Sequence, residues 1–214
     1  MLRMALPEFE RGAPPLTSKH PLDDIQRVAA KMMSRQGFAS ASMQTLADEL
    51  GLVKATLYYH VLSKENLLYR VVSSIVDERI RRWSKVLAQP ASAAGRLELL
   101  VEQHLAMVEH HQDELIVLSD ELGHLSQHHL DYVRGRLAVA DGLIREIIAA
   151  GDSAGEFDVS DPAAAATVVL AILDSMVRWY QPGGKMKNAE FARETTALIL
   201  SGVCSRSNEV PAAP

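Results

Sequence analysis

Side chains that can hold phosphates are concentrated between residues 54 and 64. Lys54 and Lys64 supply cations. Hydroxyl, phenol and imidazole groups lie between them, on Thr56, Tyr58, Tyr59 and His60. Duplex DNA is recognised through phosphate contacts that position a protein and base-edge contacts that specify sequence. Two adjacent tyrosines on a helix cannot both face the core, which favours a nucleic-acid surface over the alternative that both are packing aromatics.

The elements that must position these side chains are short helices joined by tight turns. Ser42 stands where an N-cap belongs, directly before apolar residues at helical spacing. Gly51 supplies the left-handed turn that ends this first short helix. A second helix, residues 53–60, buries Leu57 and leaves the polar side chains on other faces, and Ser63 caps a longer helix behind it. The pattern predicts a helix-turn-helix whose second helix enters a major groove.

Residues 51–68, G-L-V-K-A-T-L-Y-Y-H-V-L-S-K-E-N-L-L, resemble the recognition helix and following turn of the tetracycline-repressor (TetR) family. The resemblance extends upstream through R-Q-G-F-A-S-A-S-M-Q-T-L-A and covers roughly residues 21–70. Val53 and Val61 depart from the family pattern, which often has a capping Ser or Thr and a Phe at these positions. The resemblance implies phosphate contacts from Thr56, Tyr58, Tyr59, His60 and Lys64. It implies base contacts from Gln44, Thr45, Lys54, Ala55 and Tyr58.

Composition favours an all-α protein. Hydrophobic residues make up 48% of the 214 residues and aromatics 5%, and no alternating strand pattern recurs. The single cysteine, Cys204, excludes an internal disulfide framework and suits a reducing cytoplasm. We expect no membrane association, because no segment approaches the ~18 uninterrupted apolar residues of a membrane span. The N-terminus also lacks the apolar region of a secretion signal.

The distribution of charge separates two modules. The formal net charge is −5, which by itself does not suit a DNA-binding protein. Residues 19–70, however, carry seven Lys or Arg against five Asp or Glu, whereas residues 71–214 carry thirteen against twenty. The basic excess therefore lies on the N-terminal unit, where phosphate neutralisation requires it.

Helical periodicity predicts about nine helices in four regions of the chain. A mobile arm, residues 1–18, precedes a three-helix DNA-binding head, residues 19–66. A ligand-binding and dimerisation domain, which we call the body, spans residues 67–205 and is followed by a tail at residues 206–214. Beyond the head, the predicted helices are 63–88, 93–110, 113–121, 126–150, 162–180 and 188–204.

The last two predicted helices have the character of a subunit interface. The helix at 162–180 is apolar nearly all round, so it must be buried on every side. The final helix has small residues that permit close approach, and the two together form half of a four-helix bundle shared by two subunits. The resembled family dimerises through the same two helices; the alternative is that they close a monomeric core. The predicted interface residues are Phe191, Thr195, Leu198 and Gly202.

The penultimate helix carries only two charges, Asp174 and Arg178, at i, i+4 spacing. One interpretation is an internal ion pair. The other is that Arg178, with Trp179 or Tyr180 beside it, binds an anionic or carbonyl-bearing ligand. The ending W-Y-Q-P-G-G resembles that of TetR-type regulators of lipid and sterol breakdown, many of which respond to acyl-CoA thioesters. The candidate ligand-binding residues are His104, Met107, Asp174, Arg178 and Trp179.

Six of the eight histidines lie between His104 and His129. His124 and His128 are spaced i, i+4 with Asp120 and Glu121 nearby, which would permit a metal site; ordinary solvated histidines are the alternative. No cofactor is predicted. The chain has no G-x-S-x-G, no phosphate-binding glycine loop and no H-E-x-x-H, so we expect no enzymatic activity.

These observations predict a homodimeric, ligand-responsive transcriptional repressor that binds an inverted-repeat operator. A small hydrophobic or acyl-CoA-like effector in the body would change the separation of the two heads through the fourth helix. One rival hypothesis is a constitutive DNA-binding protein with a filled core and no effector. The other is an all-helical enzyme with a vestigial head.

Overall fold

The computed structural model describes residues 21–181 and 188–203, and within those ranges all regular secondary structure is helical. The expected all-α fold with an N-terminal helix-turn-helix head is confirmed. The predicted arm and tail lie outside the described residues, as does Cys204. The elements in chain order are α1 Pro21–Ser40, α2 Met43–Glu49, α3 Lys54–His60, α4 Lys64–Leu87, α5 Ala93–Asp120, a 3-10 helix Leu122–His124, α6 Gln127–Ser153, α7 Pro162–Trp179 and α8 Asn188–Val203.

The break predicted between the helices at residues 93–110 and 113–121 is present as a kink, across which the two segments continue as one helix. Helix α5 runs from Ala93 to Asp120 with a kink at His111, where φ is −138° and ψ is 31°. No proline or glycine occurs between Gly95 and Gly123. With nothing in the sequence to end the helix, the backbone bends at His111 and continues.

Local capping forms the head as the sequence predicts. The Ser42 hydroxyl accepts hydrogen bonds from the backbone N–H of Gln44 at 3.2 Å and of Thr45 at 3.5 Å, which fixes the start of α2. Gly51 has φ 66°, the left-handed conformation that lets the chain turn into α3. Leu57 is fully buried, so α3 is held against the head by one side only.

Helix α4 connects the head to the body without interruption. Its buried residues form one stripe: Leu67, Leu68, Val71, Val72, Ile75, Val76, Arg79, Trp83 and Val86. Helix α5 is the central helix of the body and packs against α1, α4, α6, α7 and α8. Helix α6 packs against α4 and α7. A charged residue, Arg79, therefore lies on the buried side of the helix that joins the two modules.

Helices α7 and α8 leave apolar side chains open in the single chain. Val168 is 60% exposed, Trp179 53% and Leu198 71%. Within the described ranges α7 is also the one helix that is long and apolar enough to cross a membrane, by length and composition only. In the single chain 28% of this helix is buried. It carries Asp174 and Arg178, and both form ion pairs with other helices. The apolar composition of α7 predicts burial on every side, and the single chain does not supply it.

Two glycines of α6 provide a matched test of the packing at the far end of the body. A Cβ added at Gly151 would collide with the Phe157 ring and lie 2.8 Å from the Ala93 Cβ, whereas one added at Gly135 would meet nothing within 4 Å. We expect Gly151→Ala to lower the free energy of unfolding by about 1–3 kcal/mol because of overpacking. Gly135→Ala should raise it by roughly 0.5–1 kcal/mol because alanine favours the helix. Urea unfolding followed by circular dichroism measures both, and equal effects would contradict the packing described.

Candidate nucleic-acid interface and effector cavity

Apart from Lys64 at the start of α4, the predicted DNA-binding residues lie on α2 and α3. Tyr59 is 87% exposed and Tyr58 42%. Among the other predicted contacts on these two helices, Gln44, Thr45, Lys54 and Ala55 are exposed, and Thr56 and His60 are half-buried. The structure therefore presents cationic, hydroxyl, phenol and imidazole groups together on the helix-turn-helix, with Leu57 as the buried anchor beneath them.

Lys64 differs from the other predicted DNA contacts because it already has partners within the head. Its Nζ donates to the Ala39 carbonyl at 3.0 Å and lies 4.4 Å from the centre of the Phe38 ring. It thereby fastens the start of α4 to the end of α1. An ammonium has three N–H donors, so two remain for a phosphate after the bond to Ala39.

The head meets the body through polar contacts at the end of α1. The Ser34 hydroxyl donates to the Asp113 carboxylate at 2.5 Å, and the Phe38 N–H donates to Glu121 Oε1 at 3.0 Å. The Phe38 ring stacks on His124 at 4.8 Å. These contacts tie the C-terminal part of α1 to the second half of α5, to Glu121 after it and to the 3-10 helix.

A second set of contacts joins the start of α4 to the start of α6. Glu65 Oε1 accepts from the Ser126 N–H at 2.9 Å and from His129 Nδ1–H at 2.7 Å. The Tyr69 ring stacks on His129 at 3.9 Å. Partial burial raises the pKa of Glu65, but the hydrogen bonds from His129 and Ser126 outweigh that effect and hold the pKa below its ordinary value.

Of the two histidines whose spacing would permit a metal site, His124 takes part in the head–body contact instead. His124 stacks on Phe38, with its Nε2 3.4 Å from Glu121 Oε2, while His128 is exposed on α6. In the ranges that the structure describes, no group of three or more His, Cys, Asp or Glu side chains is arranged to hold a metal ion. The i, i+4 spacing is present, but of the neighbouring carboxylates Glu121 accepts from the head and Asp120 pairs with Arg178 on α7.

The body contains a cavity of about 270 Å³ between α4, α5, the 3-10 helix, α6 and α7. Its lining consists of Arg79, Leu115, Leu118, Ser119, Leu122, Leu137, Asp174 and Val177. Arg79 is only 3% exposed, and its Nη2 donates to Asp174 Oδ1 at 3.0 Å. The guanidinium lies 5.3 Å from the centre of the Trp83 ring. The cavity thus has an apolar wall and one ionic end.

The predicted ion pair between Asp174 and Arg178 is wrong. Asp174 pairs with Arg79 on α4, and Arg178 pairs with Asp120 at the end of α5. The two residues share one side of α7, but α4 and α5 offer each of them a partner of opposite charge across a helix interface. Arg178 therefore ties α7 to the segment of α5 that contacts the head.

The five predicted ligand-binding residues do not form one site. Asp174 lines the cavity, whereas Met107 and His104 are fully buried in the core and do not line it. Trp179 is exposed and packs edge-on against Phe191 at 5.7 Å. The cavity's one cation, Arg79, was not predicted. An arginine spaced three and four residues from Val76 and Ile75 on the apolar stripe of α4 was the available signal.

His104, one of the predicted ligand-binding residues, is fully buried in the core. Its Nε2–H donates to the Leu173 carbonyl at 2.8 Å, and burial, with the nearby charge of Arg79, lowers its pKa to about 3. The ring is therefore neutral near pH 7, with Nδ1 as a lone-pair acceptor that has no protein partner. Burial also raises the pKa of Asp141, against the opposing effects of Arg145 and Arg79.

The predicted interface residues on α8 have mixed surroundings. Leu198 is 71% exposed and Thr195 is 9% exposed. Phe191 is half-buried, 5.2 Å from Tyr180, and packs against the end of α7. Gly202 lies in α8, but its surroundings fall outside what the structure describes.

Comparison with known families assigns both modules. The model of the bacterial regulatory proteins of the tetR family matches residues 25–71, and the model of the tetracyclin repressor-like C-terminal domain matches residues 90–203. The second match alone spans more than half of the chain. The chain belongs to the TetR family. It is accordingly a DNA-binding transcription regulator and not an enzyme.

Proteins similar to this TetR-family chain include a transcriptional repressor, a ketosteroid regulator and a regulator solved with an acyl-coenzyme A. The HTH-type transcriptional repressor KstR2 of Mycolicibacterium smegmatis is 26% identical over 189 residues, which cover 85% of this chain and 89% of the relative. The solved ketosteroid transcriptional regulator KstR2 of Mycobacterium tuberculosis has a TM-score of 0.80 at 23% identity, over 91% of this chain and 99% of that one. AibR, solved in complex with isovaleryl coenzyme A and operator DNA, has a TM-score of 0.75 at 22% identity, over 84% and 97%.

The lowered pKa of His104 predicts acid sensitivity of the TetR-family body. The unfolded side chain titrates near 6.5, so between about pH 6.5 and 3 the unfolded chain binds one more proton at this site than the folded chain. The free energy of unfolding should therefore fall as pH falls, by up to about 1.4 kcal/mol per pH unit from this residue. In His104→Gln the amide can still donate to Leu173, but the side chain cannot titrate. Urea unfolding of both proteins between pH 6 and 4.5 should give a shallower dependence for the variant, and parallel curves would contradict the assignment.

Proposed function

We propose that this TetR-family chain is a ligand-responsive repressor that binds an inverted-repeat operator as a homodimer and is released by a small hydrophobic or acyl-CoA-like effector. The observation that carries the proposal is the joint presence of an exposed helix-turn-helix surface and a separate body cavity, connected by one continuous α4. A cytoplasmic location accords with binding to DNA.

The exposed side chains of α2 and α3 support sequence-specific contacts. Lys54 is suited to guanine O6 and N7, and Gln44 to adenine, although its Nε2 now donates to Asp48 at 2.9 Å. Tyr58 and Tyr59 can donate to phosphates. Lys64 contributes to DNA binding both directly and by holding the head together.

Two substitutions on α3 test the proposed DNA surface. We expect Lys54→Ala to weaken binding by about 1–3 kcal/mol and to relax preference at one base position, because a base contact is lost. Tyr58→Phe should weaken binding less, because only the hydroxyl is removed. Fluorescence anisotropy with a duplex selected by the parent protein from a random library measures both. Lys85→Ala, an exposed lysine near the other end of α4, serves as the control. Equal affinity for all four proteins would exclude α3 from the interface.

The open apolar face of α7 and α8 supports a homodimer. Val168 and Leu198 border a groove of about 380 Å³ between these helices and the loop before α7. Covering such a face with the same face of a second copy follows the two-fold symmetry of most homodimers. It would also complete the burial that the composition of α7 demands.

A charge placed on this face tests the proposed dimer. Leu198→Arg should yield monomers that bind operator DNA weakly, because one head contacts only a half-site. Leu62→Arg, at an 82% exposed position between α3 and α4, should remain dimeric. Size-exclusion chromatography with light scattering gives the mass of each protein, and a monomeric parent would end the dimer proposal.

The effector proposal is supported by the cavity and by the relatives. A constitutive regulator with a filled core needs no cavity, whereas 270 Å³ lies just below the usual size range of small-molecule sites. AibR was solved with an acyl-coenzyme A, and KstR2 is a ketosteroid regulator. Arg79 at the cavity and Glu65 at the head contact are fourteen residues apart on α4, about 21 Å along one helix. An effector that displaces α4 at the cavity would therefore move the head.

A further inference from the structure

The effector cavity combines a wall of apolar side chains with a buried arginine. Leu115, Leu118, Leu122, Leu137 and Val177 make up most of the wall, and Ser119 adds a hydroxyl. Arg79 and Asp174 form the ionic end. A ligand that fills this space needs an apolar part for the wall and a polar group that can replace what Arg79 now binds.

The guanidinium of Arg79 has a hydrogen-bond donor without a partner in the described part of the protein. Arginine offers five N–H donors in a planar fork that matches a carboxylate through two parallel hydrogen bonds. Here Nη2 donates to one oxygen of Asp174, while Nε, buried with the rest of the 3% exposed side chain, has no protein partner. A second oxygen placed beside Nε would complete the fork.

Asp174 and Arg79 differ in how easily each side chain can leave the ion pair and be solvated by water. The Asp174 side chain is 54% exposed, so its carboxylate can turn into water at little cost. Arg79 cannot leave the interior, and a buried arginine without a counter-ion is strongly destabilising. Asp174 is therefore replaceable, provided that the incoming group carries a negative charge.

On the basis of the proposed effector-binding function, we propose that the cavity binds an apolar monocarboxylic acid whose carboxylate pairs with Arg79 and displaces Asp174. A thioester or ketone oxygen could accept from Nε, but it could not neutralise the guanidinium. The volume of about 270 Å³ suits a medium-chain acid and is too small for a coenzyme A moiety. Displacement would also break a link between α7 and the helix that carries the head.

Isothermal titration calorimetry of the full-length protein with octanoate, octan-1-ol and octanoyl-CoA tests this assignment. We expect octanoate to bind the parent at least about tenfold more tightly than octan-1-ol or octanoyl-CoA. Arg79→Met should weaken octanoate binding at least about tenfold, and Arg79→Lys should give an intermediate loss because the charge remains without the fork. Asp174→Asn should strengthen octanoate binding, because the competing carboxylate is gone.

The matched control is Arg136→Met. Arg136 on α6 pairs with Asp77 on α4 at 2.6 Å, a similar interhelical ion pair outside the cavity lining, so octanoate affinity should not change. Thermal melts establish that each variant is folded; if Arg79→Met does not fold, Arg79→Lys and Asp174→Asn carry the test.

Four results would overturn the assignment: no binding of octanoate to the parent, equal binding of octan-1-ol, unchanged binding to the folded Arg79 variants, or weaker binding to Asp174→Asn. Binding of octanoyl-CoA without octanoate would identify the thioester as the ligand and reject the free acid. Operator affinity of the ligand-free parent is measured separately. A protein that binds its selected duplex but not octanoate therefore rejects this inference while leaving DNA binding intact.

Discussion

Burial of the apolar stripe along α4 positions both functional regions of the molecule. Leu67 and Leu68 anchor the helix in the head, and Trp83 anchors it in the body. Each such side chain contributes about 1.5–3 kcal/mol when fully buried. Because the helix is continuous over 24 residues, the proposed DNA-binding surface and the proposed effector cavity share one element. The same burial holds Arg79 away from water.

Head and body are joined by the packing of α1 against α5 and α4, within one continuous hydrophobic core. Hydrogen bonds and ring stacking add to this packing, among them those made by Glu65, Glu121 and His129. A hydrogen bond contributes about 0.5–1.5 kcal/mol net, which is comparable to the 1–3 kcal/mol of coupling typical between an effector and a second site. The proposed effector could therefore change these polar contacts without unfolding either module.

Helix α7 is under two constraints at once. Its inner side carries Asp174 into the proposed effector cavity, and Arg178 reaches the end of α5 beside the head contact. Its outer side, with Val168, is apolar and open in the single chain. A single helix thus borders the proposed effector site, the head contact and the proposed subunit interface. A displacement of α7 at one of these places would therefore alter the packing at the others.

The sequence alone determined the helix-turn-helix, because its signals are local. The hydroxyl of Ser42 caps a helix that starts at the next residue, and Gly51 makes a turn that no other residue adopts as easily. The apolar character of α7 was also evident from the sequence. The helix-turn-helix residues carried the family resemblance that the comparisons confirmed.

Only the tertiary structure decided which charges meet. Asp174 pairs with a residue 95 positions away and Arg178 with one 58 positions away, although each is only four residues from the other. Periodicity shows which side of a helix is buried but not which helix lies against it. The ionic end of the cavity, built from Arg79 on α4 and Asp174 on α7, depends on that packing and was therefore invisible in the sequence.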